Sequence, residues 1–238
     1  MDKNEVISAL EDQGIKLSAL KIKQLDIYFQ DLINTNKSLN LTTIIEELDV
    51  WIKHFYDSIT PLIYFPKLDE KISIADVGTG AGFPGMVLSI VNPKLEVTLI
   101  DSLKKRLNFL NELIEKLNLK NVKTEHYRAE DIGNNLNYRE SFDFVTARAV
   151  SNTATLLEYL MPLAKVNGTI ILFKSASYVQ ELNDAKNAIK ILGGEIGSLF
   201  EFNLPNGNPR TLIEIKKIKQ TPKKYPRQAG TPSKNPIK

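Results

Sequence analysis

From residue 67 onward, short β-branched runs alternate with segments of helical periodicity, and that alternation leaves the chain very few folds to choose from. Candidate strands fall at 72–77, 96–100, 122–126, 142–146 and 169–174, separated by amphipathic helices at 86–91, 103–117, 153–164 and 179–192 and a short helical turn at 130–136. Strand and helix in strict alternation specify a parallel sheet covered on both faces, since each crossover helix buries its apolar stripe against the sheet. The pattern then changes. Two strand-like runs, 196–204 and 211–218, are joined only by Pro205-Asn206-Gly207-Asn208-Pro209-Arg210, and a parallel return needs a dozen or more residues, so this pair is an antiparallel hairpin.

The first 66 residues read as a helical segment. Leu17, Leu20, Leu25, Tyr28, Phe29, Leu32 and Ile33 recur at helical spacing, with a break near Gly14 and Ser18 as the N-cap of a second helix. Asn34-Thr35-Asn36-Lys37-Ser38 reads as a turn, and further helix runs through Trp51 to Tyr64 before Pro66. The predicted organisation is therefore 1–66 helical segment, 67–219 α/β domain and 220–238 tail. That tail holds Lys223, Lys224, Arg227, Lys234 and Lys238 with no acid, so the remainder of the chain carries 26 basic against 28 acidic residues. With four prolines it reads as an extended arm for a polyanion, ahead of a merely solubilising tail.

A 42% apolar composition without any run near the ~20 residues of a membrane span is that of a soluble globular protein. The absence of cysteine excludes disulfides, thiolate metal sites and a cysteine nucleophile. A cytoplasmic monomer with no metal and no membrane partner is expected, and the polar N-terminus does not read as a secretory signal.

The strongest local signal is Asp76-Val77-Gly78-Thr79-Gly80-Ala81-Gly82-Phe83-Pro84-Gly85, at the end of the first strand and the start of a helix. Glycines at alternate positions let the backbone turn tightly and approach a ligand. Asp101 ends the second strand, 19 residues after Gly82, where a carboxylate can accept both hydroxyls of an adenosine ribose. Gly80–Gly85 also matches the dinucleotide pattern G-x-G-x-x-G, so the loop alone does not choose between cofactors. Three features favour S-adenosylmethionine. Asp76 would face the cofactor's ammonium but repel a pyrophosphate; the terminal hairpin replaces the second parallel half of a dinucleotide fold; and Ala129-Glu130-Asp131 follows the third strand, where methyltransferases hold the adenine. The bland reading is that Asp76 caps the loop, Asp101 caps the next helix and Glu130 is solvated. The resulting fold class is α/β, a class I S-adenosylmethionine-dependent methyltransferase with a Rossmann-like, mostly parallel sheet, a terminal antiparallel hairpin and an N-terminal helical segment.

What is missing narrows the acceptor. Methylating a pyrimidine carbon usually takes a cysteine, and exocyclic amine methylation commonly uses an Asp/Asn-Pro-Pro-aromatic motif where this chain reads Thr146-Ala147-Arg148-Ala149. Guanine N7 offers an exposed lone pair and loses no proton on attack, so in-line placement is sufficient and no catalytic base is expected.

The chain resembles the bacterial small-subunit ribosomal RNA guanine-N7 methyltransferases, also called glucose-inhibited division protein B. The resemblance rests on Asn40-Leu41-Thr42, Lys53-His54-Phe55-Tyr56-Asp57-Ser58, the 76–85 loop, Ile100-Asp101-Ser102, Arg128-Ala129-Glu130, Val145-Thr146-Ala147-Arg148-Ala149-Val150, and Thr221-Pro222-Lys223-Lys224-Tyr225-Pro226-Arg227 with Gly230-Thr231-Pro232. It implies methyl transfer to N7 of a guanine in the decoding-region loop of 16S rRNA, with 16S rRNA or the small ribosomal subunit as partner. It further implies cofactor contacts at Gly78, Phe83, Ala129, Glu130 and Arg148. The chain departs from the family at Ser151-Asn152, where many relatives have Ala-Arg. The full candidate cofactor set is Asp76, Gly78, Gly80, Gly82, Phe83, Asp101, Ser102, Ala129, Glu130 and Arg148, and the candidate RNA contacts are Lys174, Lys223, Lys224 and Arg227. Arg148 alternatively pairs with a sheet-end acid such as Asp76. His54 and Asp57 either line the substrate entrance or pack helices, and Lys104-Lys105-Arg106 either meets phosphates or is a solvated face.

Overall fold

A computed structural model describes residues 1–148, 152–175 and 178–238. Strands β1 (Ser73–Val77), β2 (Glu96–Asp101), β3 (Val122–His126), β4 (Phe142–Ala147), β5 (Ala164–Lys174), β6 (Gly194–Asn203) and β7 (Pro209–Lys217) form one seven-stranded sheet in the order β3-β2-β1-β4-β5-β7-β6. The first five are parallel, and β7 runs antiparallel to both β5 and β6. The order reverses between β1 and β4, which opens a crevice at the carboxyl ends of those strands. β5 begins five residues earlier than the periodicity suggests. The strand runs through Asn167, at φ 69°, and Gly168, beside a register shift against β4.

Alternation along the strands divides the interior into two layers. Ile74, Val97 and Leu99 face one core, while Ala75, Val77 and Ile100 face the other. The second core is closed by α9 (Thr153–Leu160) and α10 (Tyr178–Leu192), with α8 (Ala129–Asn134) at its margin. The first is closed by α6 (Gly85–Val91), α7 (Lys104–Lys116) and the N-terminal helices α1 (Lys3–Asp12) and α2 (Ala19–Leu39). Leu25, Tyr28, Phe29 and Leu32 of α2 share this core with Met86 and Leu110, so the N-terminal segment is packed onto the sheet.

Ser18 caps α2 as predicted, its Oγ accepting from Lys21 N at 3.4 Å. The stretch Asn34–Ser38 is not a turn, because α2 continues through it to Asn40, which terminates the helix in left-handed conformation. Asn36 explains the delay: its side chain donates to Thr42 O and accepts from Thr42 N, both at 2.9 Å, so the turn it helps to make lies after the helix. Next come α3 (Glu47–Val50), a π-helical turn at Trp51–Tyr56, α4 (Asp57–Ile59) and α5 (Pro61–Tyr64). Wide turns of this kind recur at functional sites.

The tail does not extend as an arm. Arg139 donates to the carbonyls of Thr221 and Tyr225 at 2.8 Å, and Pro226 lies against Gly133. Thr155 Oγ1 donates to Pro232 O at 2.9 Å, next to the short α11 (Thr231–Lys234). Arg227 forks onto the fully buried Glu158, with Nη2 2.6 Å from Oε2 and Nε 2.9 Å from Oε1. Composition reads as an extended arm, but Tyr225, Pro232 and Ile237 are buried and supply the apolar contacts that hold the segment down.

Candidate active site

The loop after β1 is fastened from both sides. Gly78 N and Thr79 N donate to Ile100 O at 2.8 and 3.0 Å, and Gly80 N donates to Asp101 Oδ2 at 2.9 Å. Asp101 Oδ1 accepts from Leu103 N at 2.8 Å, so this carboxylate joins the glycine loop to the start of α7. Oδ1 retains a lone pair for a ligand hydroxyl, while Oδ2 also accepts from Arg106 Nη1 at 3.5 Å.

Two cavities meet at this loop. The first, about 530 Å³, is lined by Val77, Gly78, Ile100, Asp101, Ser102, Leu103, Arg106, Tyr127, Arg128, Ala129, Glu130, Arg148 and Tyr159. The second, about 480 Å³, is lined on the loop side by Gly78–Ala81 and Phe83, on the helical side by Thr42, Lys53, His54 and Asp57, and at the sheet end by Arg148, Phe173, Lys174 and Arg210. Gly78, Arg106 and Arg148 belong to both. Volume alone does not select these cavities, since a cleft of about 640 Å³ lies at the opposite strand ends near Ser73, Glu96 and Val122. Ligands in sheets of this kind bind at the carboxyl ends.

Gly78, Asp101, Ser102, Ala129, Glu130 and Arg148 are thus brought together around one cavity, and Gly80, Phe83 and Lys174 around its neighbour. Two members of the predicted cofactor set line neither. Asp76 is fully buried beneath the loop, where Oδ2 accepts from Thr79 Oγ1 at 2.7 Å and Gly85 N at 2.8 Å. It caps the turn rather than facing the cavity, and burial raises its pKa to about 6. Gly82, at φ 106°, is required by crowding: a Cβ there would lie 2.6 Å from the Tyr28 hydroxyl and 2.9 Å from Leu110 Cδ2. Of the predicted RNA contacts, Arg227 is committed to Glu158, and Lys223 and Lys224 are exposed but line neither cavity. Lys174 faces the second cavity while pairing with Glu181 at 2.6 Å. Ala149, Val150 and Ser151 lie outside the described residues, and Asn152 serves as N-cap of α9.

The wall of the second cavity is a stack. His54 lies on Phe83 with ring centroids 4.3 Å apart, Tyr28 stacks on Phe83 at 5.4 Å, and the Tyr28 hydroxyl donates to Ala81 O at 2.5 Å. Arg148 lies 5.0 Å from the Phe83 centroid and donates to His54 Nδ1, Lys53 O and Asp57 Oδ2 at 2.9, 3.2 and 3.2 Å. Its partner is therefore Asp57, not Asp76. His54 Nε2 reaches Thr42 Oγ1 at 2.9 Å. Burial first, and then Arg148, lower the His54 pKa to about 3; burial raises that of Asp57 while Arg148 and Arg210 oppose the shift.

Tyr28, Thr42, Tyr159 and Arg210 went unnoticed as site residues in sequence. Tyr28 and Tyr159 look like core aromatics, and Arg210 sits in what reads as a hairpin turn. Only Thr42 left a trace, in the Asn40-Leu41-Thr42 stretch.

The first cavity fits S-adenosylmethionine on its own chemistry. It offers carboxylate oxygens for ribose hydroxyls, apolar Val77, Ile100, Leu103 and Ala129 for an adenine, and a side-chain-free loop leading into the second cavity. Strand order and glycine loop together define the fold of a class I S-adenosylmethionine-dependent methyltransferase. A SAM dependent methyltransferase from Aquifex aeolicus superposes with a TM-score of 0.53 at 22% identity, covering 77% of this chain and 97% of that one. M. jannaschii TYW2 in complex with AdoMet superposes at 0.53 and 15% identity, covering 68% and 77%.

Sequence comparison carries the assignment to a family. The family model described as rRNA small subunit methyltransferase G matches residues 21–206. Proteins named ribosomal RNA small subunit methyltransferase G are 52% identical over 237 residues in Oenococcus oeni, covering 100% of this chain and 98% of that protein, and 51% identical over 238 residues in Lactococcus lactis subsp. cremoris (strain MG1363), covering 100% of both. The chain belongs to the rRNA small subunit methyltransferase G family.

Proposed function

We propose that this protein transfers a methyl group from S-adenosylmethionine to N7 of a guanine in the decoding-region loop of bacterial 16S rRNA, acting in the cytoplasm as a monomer. Membership of a family named for small-subunit rRNA methylation supports the substrate. The observation that carries the N7 assignment is the state of the groups in the second cavity. His54 is hydrogen-bonded through both ring nitrogens and titrates near 3, and Asp57 is ion-paired to Arg148 and Arg210. His54 has no ring nitrogen free to take a proton, and the two guanidinium groups oppose protonation of Asp57. An exocyclic amine must lose one, whereas N7 attacks through a lone pair and loses none.

When bound, S-adenosylmethionine supplies an electrophilic methyl group. The chain's own residues supply position. Asp101 would accept from the ribose, Ala129 and Glu130 would flank the adenine, and Gly78 and Gly80 would leave room beside the backbone for the methionine portion. The Tyr28–Phe83–His54 stack and the Arg148 clamp form a rigid wall against which the acceptor base is set. Holding two reactants in line can account for much of the rate of such a displacement. The test is transfer of tritiated methyl groups to 16S rRNA from cells lacking this activity. Label confined to one guanine is expected, and no transfer to naked RNA or to isolated small subunits would contradict the reading.

A further inference from the structure

We propose that Arg210 is a ligand for an RNA phosphate beside the acceptor nucleotide, held ready by Asp57; the inference rests on the RNA-methylating function above. β7 runs opposite to the parallel strands, so its first residues, not its last, lie at the ligand edge: Thr211 pairs with Lys174 at the end of β5, and Arg210 precedes it. Arg210 lines the second cavity but not the first, which places it on the acceptor side and away from the nucleoside half.

Charge balance singles it out. Among the described residues five cations line the second cavity: Lys53, Arg106, Arg148, Lys174 and Arg210. Lys53 has Asp49 at 2.9 Å, Arg106 has Asp101 at 3.5 Å, and Lys174 has Glu181 at 2.6 Å. Arg148 and Arg210 share one carboxylate, that of the buried Asp57, at 3.2 and 3.4 Å. Neither guanidinium therefore has a carboxylate of its own on the described cavity wall, and an anion entering this partly open cavity meets positive charge there. Arg148 is 15% exposed and spends its donors on three protein acceptors. Arg210 is 25% exposed, its Nε pairs with Asp57 Oδ1 without hydrogen-bond alignment, and Nη1 donates to Pro209 O at 3.0 Å. Among the described residues Nη2 has no acceptor. A guanidinium fixed at one end and open at the other is the geometry that takes phosphate oxygens in a forked contact.

The experiment is binding of 16S rRNA across a range of salt concentrations by the wild-type chain and by R210Q and R210K. R210Q is expected to weaken RNA binding roughly tenfold and lower the log–log salt slope by about 0.7 to 0.9, the share of one phosphate. R210K should restore the slope, since it restores the charge, while S-adenosylmethionine affinity without RNA stays unchanged in both. An unaltered slope in R210Q overturns the inference, including the case where the variant only melts earlier because Arg210 merely neutralises Asp57. Wild-type protein that neither binds nor methylates 16S rRNA would bring down the proposed function and this inference with it. Wild-type binding and methylation with an indifferent R210Q would remove this inference alone.

Discussion

Arg148 Nη2 lies 2.9 Å from His54 Nδ1, and because a guanidinium can only donate, His54 is held as a neutral imidazole that accepts through Nδ1. Its folded pKa of about 3 lies below the unfolded value near 6.5, so the unfolded chain takes up the proton first as pH falls. Stability is therefore lost progressively from about pH 6.5 down to about 3. Between pH 7.5 and 5.5 the wild type should lose about 1.4 kcal/mol more than His54→Gln, which lacks the titration, as measured by urea denaturation. Parallel pH dependence of the two proteins would contradict a neutral His54.

Asp76 acts with the opposite sign. Its carboxyl is raised from 3.8 to about 6, so the folded state holds the proton more tightly, and this group's contribution to stability falls as pH rises from about 4 to 6. Asp76→Asn keeps an oxygen for Thr79 and Gly85 and removes a buried charge whose Oδ1 has no partner. The variant should gain up to about 3 kcal/mol relative to wild type at pH 7, with the difference vanishing near pH 4. Calorimetry should find S-adenosylmethionine affinity nearly unchanged; a loss of tenfold or more would return Asp76 to the ligand site.

Arg227 is a fastener for the C-terminal segment. Arg227→Ala strands the buried Glu158 carboxylate and should cost about 2 to 4 kcal/mol, after allowance for the partial exposure of the arginine. Gly230 N also donates to Glu130 Oε1 at 3.1 Å, so deleting residues 220–238 should lower the melting temperature and weaken cofactor binding together. A truncated protein with unchanged melting and cofactor affinity, but a reduced RNA salt slope, would restore the arm.

Asp101 links loop, helix and cavity. Asp101→Ala should weaken S-adenosylmethionine binding roughly ten- to a hundredfold, the loss of about 1.5 to 3 kcal/mol of hydrogen bonding to a charged acceptor. An unchanged dissociation constant in a folded variant would remove Asp101 from the site.

Most of the sheet was legible because burial on both faces writes apolar, β-branched runs into the central strands β1, β2 and β4, while the edge strand β3, with no buried residue, showed only through its place in the alternation. β3 spans Val122–His126 as predicted, and β2 gains only Asp101 at its end. The glycine loop and Asp101 were legible for the same local reason, since backbone turning and strand-end position depend on neighbouring residues. What escaped was decided at long range. Asp76 and Gly82 carry the residue types of a ligand loop, yet Thr79 and Gly85 take the first and Tyr28 crowds the second. The tail's charge concealed Tyr225, Pro232 and Ile237, whose burial needs the surface of α8 and α9 to be known. Arg210 was hidden by direction: strand-end reasoning looks at where parallel strands finish, and an antiparallel strand starts there.

Transfer to N7 is open to a single atomic substitution in the substrate. In 16S rRNA with 7-deazaguanine at the acceptor position, the nucleophilic atom is absent while the base keeps its shape and its pairing edge. Single-turnover transfer should be abolished on that RNA, and on unmodified RNA it should be nearly independent of pH from about 6 to 9. Methylation that persists on the 7-deazaguanine RNA would contradict transfer to N7.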